Sequence, residues 1–222
     1  MLWCWGIVIQ NGITNFVSLL DNIMVGQVGT EQMTGIAIVN QLLLVFNLAI
    51  FGAISGAGIF GAQFYGCKDH KGVQHTFRYK LYICLAILLL GILLLLFQGD
   101  HLILLYLHGE GQDVELEATL GYGKQYLLVM LTGLLPFAVE EIYASTLREC
   151  GETKLPMIAG VAAVCVNLVL NYLLIFGKFG FPVLGVVGAA VATVISRYVQ
   201  ALIVILWTHT HTGRMPFIRG AY

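Results

Sequence analysis

Residues 32–67 read QMTGIAIVNQLLLVFNLAIFGAISGAGIFGAQFYGC, with no Lys, Arg, Asp or Glu among them. A helix rises about 1.5 Å per residue, and about 20 apolar residues suffice to cross the ~30 Å hydrocarbon core of a bilayer. Further charge-free runs lie at 1–20, 81–99, 155–177 and 179–196. Apolar residues make up 59% of the chain and charged residues 10%, and the mean hydropathy is +0.87. A soluble domain carries roughly 25% charged residues, so this chain has too few to cover a water-facing surface. Backbone groups in lipid must be paired internally, by helices or by a closed barrel of short alternating strands. The alternation is missing here, which leaves an all-α integral membrane protein.

The pattern predicts six transmembrane helices, at 3–26, 33–63, 79–98, 124–147, 156–177 and 184–207, within one unit over 1–208. The first run has no basic leader and no small-residue cleavage site, so it reads as a span and not as a signal peptide. Lys68, Lys71, Arg78, Lys80, Arg148, Lys154, Arg214 and Arg219 fall on one side of this arrangement, and only Lys124 and Lys178 on the other. The positive-inside rule then places both termini in the cytoplasm of a multi-pass plasma-membrane protein. Pro136 sits inside the fourth span, where a kink is tolerated if neighbours satisfy the freed carbonyl.

Several patterns invite a chemical reading and do not sustain it. Gly56, Gly58 and Gly61 form a GxGxxG motif, but a dinucleotide site needs a preceding strand; within an apolar helix, packing is the better reading. The five cysteines are scattered, with no CxxC pair, so neither zinc nor a disulfide frame is expected. His209 and His211 stand at a membrane exit without further ligands, and all six histidines fall in loops or near span ends. A membrane enzyme would need His, Asp or Ser clustered within the spans. The chain therefore reads as no enzyme, with no cofactor and no nucleic-acid partner.

Asp21 is different. A carboxylate inside a span costs about 2.5–3.5 kcal/mol on insertion scales, so it tends to face a cavity or a partner. It falls about six residues before the first span ends, roughly 9 Å below the outer surface. Asn171 lies at the same depth in the fifth span, with Asn167 one turn below it on the same face. Thr193 comes near 13 Å into the sixth. These four form one polar layer in the outer half, chemistry suited to a proton or a weakly held Na+ at Asp21. Interhelical hydrogen-bond glue is the competing reading, and an interfacial cap is the alternative for Asp21. A second group, Glu140, Glu141 and Arg197, falls in the inner half. An ion pair between Arg197 and one of the acids is within reach, with a purely structural pair, or snorkelling of Arg197 to the inner face, as the default reading and a proton relay as the alternative.

Five runs together resemble the multidrug and toxic compound extrusion (MATE) family. They are NFVSLLDNIMVG at 15–26 followed by VGTE at 28–31; QFYG at 63–66 with Lys68-Asp69; LRECGETKLPM at 147–157; NLVLNY at 167–172; and GVVGAAVAT at 185–193. They occur in order over nearly the whole chain. The resemblance implies a cation-coupled (H+ or Na+) antiporter that exports organic cations and amphipathic drugs by alternating access, with Asp21 in the coupling role. Where some members have a second acid in the fifth span, this chain has Asn171, which argues against a sodium site of that kind. The family's early first-span proline is also missing. Members have about twelve spans in two six-helix lobes and bind substrate between the repeats. Six spans, with GRMPFIRG at 213–220 resembling the link into a second lobe, imply an N-terminal half whose partner is another six-helix lobe, 209–222 being a cytoplasmic linker. Two alternatives remain: a six-span protein working as a homodimer, and a lipid-linked oligosaccharide flippase of the same superfamily. The second expects several basic residues in its cavity, whereas buried positives here reduce to Arg197.

Overall fold

The computed structural model describes residues 24, 26, 29–109, 116–177 and 183–211. Most of the expected first span, with Asp21, and the linker beyond His211 lie outside the described residues. Within them the chain forms six helices and no strand: α1 Thr30–Gly66, α2 His70–Gly109, α3 Leu116–Thr132, α4 Leu134–Glu149, α5 Lys154–Phe176 and α6 Gly185–Thr210. Helices α1, α2, α5 and α6 are each long and apolar enough to cross a membrane, and α3 and α4, bent by 45° from each other, are so when taken together as one span. Many large side chains remain exposed on the bundle's outside, among them Val45, Phe51, Leu90, Phe97 and Leu206. Such a surface suits lipid contact, since lipid makes no demand that apolar groups be hidden.

Helix α2 runs well past the apolar stretch 79–98 at both ends. Hydropathy marks only the part that lipid requires, whereas a helix continues into water wherever its ends are capped. The Asp69 carboxylate caps α2, accepting from the backbone N–H of Lys71 and Gly72, each at 3.1 Å. Ahead of it α1 closes on a left-handed residue, Lys68 at φ 59°. The Asp69 N–H there reaches back to the Phe64 carbonyl at 2.9 Å, which satisfies an end carbonyl of α1.

Small residues set the helix contacts. A Cβ at Gly35 would stand 2.9 Å from the Thr119 carbonyl oxygen, so α1 and α3 approach there backbone to backbone. One at Gly188 would stand 2.8 Å from the Leu174 carbonyl oxygen, where α5 and α6 form a close hairpin. Dispersion between closely placed backbones substitutes for the hydrophobic drive that lipid does not supply. The core runs through Val39 and Ile50 on α1, Phe77 on α2, and Leu134 and Ile142 on α4, all buried.

The bend between α3 and α4 falls at Gly133, three residues ahead of Pro136. Proline lacks the N–H that would bond to the carbonyl four residues back, so the ladder fails at Thr132. Gly133 turns the chain with a short bond to the Met130 carbonyl at 3.0 Å. Two side chains from α6 reach carbonyls at the break: the Tyr198 hydroxyl donates to Thr132 at 3.4 Å, and Arg197 Nη1 donates at 3.5 Å to Gly133, which also accepts from the Phe137 N–H at 3.3 Å.

Candidate functional site

The close approach of α5 and α6 brings three of the sequence-nominated polar residues together. Asn171 Nδ2 donates to Asn167 Oδ1 at 3.1 Å, and Asn167 Nδ2 donates to Thr193 Oγ1 at 3.3 Å. Thr193 in turn donates to the Ala189 carbonyl of its own helix at 3.0 Å. Asn167 is 7% exposed and Asn171 2%, so the amides are held out of water or lipid. They share one face of α5 because residues four apart stack. The result is a short file of amide and hydroxyl groups, able to solvate a cation or to hold interhelical register. Asp21, expected at this level, lies outside the described residues.

The second nominated group does not assemble as expected. Arg197 makes no ion pair with Glu140 or Glu141. It lies over the Phe137 ring, 5.0 Å from guanidinium carbon to centroid, and donates to the Gly133 carbonyl. The Gly133 carbonyl also accepts from the Phe137 N–H at 3.3 Å, so the guanidinium is a second donor to a carbonyl beside the break. Glu141 pairs loosely with Arg148 of its own helix at 4.0 Å. Glu140 is 3% exposed, and its Oε1 has no hydrogen-bond partner.

A third group was not nominated. Lys80, counted above with the loop charges, is fully buried and forms an ion pair with Glu149. Its ammonium also donates to Ser145 Oγ at 3.2 Å and Thr146 Oγ1 at 3.4 Å, while Ser145 donates to Glu149 Oε1 at 2.7 Å. The carboxylate lies in a notch on α1. A Cβ at Gly58 would sit 2.6 Å from Glu149 Oε1, and one at Gly61 would collide with Oε2. Two glycines of the GxGxxG motif are therefore packing residues of a particular kind: they admit a carboxylate. The neighbouring Cys150 thiol is pushed up to about 12 by burial and, secondarily, by Glu149, so it remains a neutral packed group. Between α1 and α2 the bundle carries a cleft of about 630 Å³, lined by Gly52, Gly56, Phe60, His75 and Tyr79 among others. Among the described residues no three His, Cys, Asp or Glu side chains converge as a metal site would require.

Among the described residues the structure is an all-α bundle with helices of membrane-crossing length, a polar file between its last two helices and a break near Pro136. The family model described as MatE matches residues 7–173, and the chain belongs to that family. A probable multidrug resistance protein NorM of Thermotoga maritima is 32% identical over 194 residues, covering 86% of this chain and 40% of that protein. The Bacillus licheniformis protein of the same description is 30% identical over 206 residues, covering 93% and 44%. Among solved structures, an outward-facing multidrug resistance MATE family transporter of the MOP superfamily superposes with a TM-score of 0.77 at 23% identity, over 91% of this chain and 42% of that one. At that identity the likeness shows the fold alone. The chain thus spans well under half the length of the relatives it matches.

Proposed function

We propose that this chain is the N-terminal six-helix lobe of a cation-coupled antiporter, which exports organic cations or amphipathic drugs by alternating access together with a second lobe. The observation that carries the reading is the hydrogen-bonded file Asn167, Asn171 and Thr193 at the α5–α6 contact, in a chain of the MatE family. The relatives' description as probable multidrug resistance proteins supports a drug-like cargo. Asp21, the fourth member expected at that level, takes the role of coupling acid. It binds H+ or Na+, and the neighbouring amides adjust to its charge. The first span then runs over about 3–26, both termini face the cytoplasm, and 209–222 lead toward the second lobe.

The test is Asp21→Asn in a transport-competent assembly containing both lobes. Cation-driven uptake of a fluorescent organic cation into inverted vesicles should be abolished at unchanged membrane abundance. Uptake equal to the parent's would remove Asp21 from the coupling role. Running the assay with a sodium gradient alone and then with a proton gradient alone identifies the ion.

A further inference from the structure

We propose that the Glu140 carboxyl is a proton-binding site of its own, at the contact of α4 with α6. It holds its proton in the packed bundle and releases it when the two helices part enough to admit water. The inference concerns one side chain of this lobe and does not rest on the antiporter reading.

Glu140 is 3% exposed and its Oε1 is buried without a hydrogen-bond partner. An ionised carboxylate so placed needs a cation or several donors; lacking both, it takes up a proton instead. The surrounding groups supply little. On its own helix are Glu141, a like charge, and Arg148, which lies against Glu141 at 4.0 Å. From α6 the side chain acting on it is the uncharged amide of Gln200. The other ionisable residues of α6 near α4 are engaged elsewhere: Arg197 with Gly133 and Phe137, Tyr198 with Thr132, and His209 with the Tyr143 hydroxyl at 3.3 Å. Lys80 of α2 is bound to Glu149, which fills the notch on α1. A single amide donor solvates an ionised carboxylate only in part, and Oε1 has no donor at all, so burial decides for the neutral acid.

The position gives the site its meaning. Thr193, Arg197 and Gln200 stand at i, i+4 and i+7 on α6 and so share one stripe. Thr193 meets the α5 amides, Arg197 the α3–α4 break, and Gln200 meets Glu140. Glu140 is therefore about two helical turns, roughly 10 Å, along α6 from the Asn167–Thr193 contact, with a fixed positive charge between the two. They are separate sites on one helix. On release the O–H bond breaks, the proton passes to water and the carboxylate keeps the electron pair. A newly charged group at the α4–α6 contact then opposes reclosure until it is reprotonated.

Infrared difference spectroscopy on the full chain in lipid nanodiscs tests this. At neutral pH the parent should show the carbonyl stretch of a neutral carboxylic acid that Glu140→Gln removes. In Gln200→Leu the band should remain at a displaced frequency, because its amide neighbour is gone. In D2O the band should exchange more slowly than the amide bands of the exposed turns. A parent-minus-E140Q spectrum with carboxylate bands only would overturn the proposal, and so would immediate exchange in D2O. Should E140Q fail to fold, the Q200L comparison decides alone, an undisplaced carboxyl band counting against the site.

Discussion

Lys80 can be fully buried because Glu149 reaches it from α4, and each charge is tolerable only while the other is present. Removing one partner of a buried pair typically costs about 3–5 kcal/mol, whereas replacing both by well-packed apolar groups is often neutral. Glu149→Gln should therefore lower the unfolding free energy in detergent by roughly that amount, and Lys80→Met with Glu149→Leu should recover most of it. Denaturant titration of the two variants checks the prediction; equal losses in both would show that Glu149 acts through something other than its pairing. Charge alone had placed Lys80 with the loop residues. Its spacing says otherwise, since Val73, Phe77, Lys80, Cys84 and Leu88 repeat with helical period and all are buried. The Asn167, Asn171 and Thr193 cluster could be read from depth and stacking, because amides four apart in an apolar run leave few places to point. Arg197 could not be read in this way: its partners are a backbone carbonyl and a ring face, which no pattern of charged side chains announces.

The broken crossing α3–α4 is the element whose behaviour is most open to test. Tyr198 donates to the Thr132 carbonyl, which Pro136 leaves without its usual helical donor. If Pro136→Ala restores that donor, the hydroxyl becomes redundant. Tyr198→Phe should then cost about 0.6 kcal/mol in the parent, typical of hydrogen bonds between membrane helices, and close to nothing beside Pro136→Ala. A double-mutant cycle on thermal unfolding in detergent reads the difference. Additive effects would mean that the break is held by Gly133 and Arg197 whatever stands at 136. Proline marked this crossing in the sequence, yet the bend falls three residues earlier, at Gly133, whose φ of −84° any residue can adopt and where a Cβ would stand 3.0 Å from Val194 Cγ2. Helix ends were likewise out of reach of hydropathy: α2 begins where Asp69 caps it, well before its apolar stretch. Lipid sets the apolar length; backbone hydrogen bonding sets the helical length.

For the molecule as a whole, the matches to two relatives cover 86% and 93% of this chain, yet only 40% and 44% of theirs. Alternating access between repeats needs two walls around a site near the midplane. On the proposed reading, the polar file and the cleft of about 630 Å³ between α1 and α2 belong to one such wall. This chain reconstituted alone in vesicles should therefore insert and fold, with the helical signal of a membrane bundle, and move no organic cation above the leak of empty vesicles. Adding the C-terminal half of the Thermotoga maritima relative, or the chain's own downstream sequence where one exists, should restore gradient-driven efflux. Complementation by the relative is a demanding test, since at 32% identity the facing surfaces need not match. The chain's own second lobe is the stricter positive control. Efflux by the chain alone, lost when two copies are kept apart by dilution to one per vesicle, would instead assign the work to a homodimer of six-span protomers. The two outcomes differ in what completes the cavity, a different lobe or a second copy of this one, and copy number per vesicle separates them.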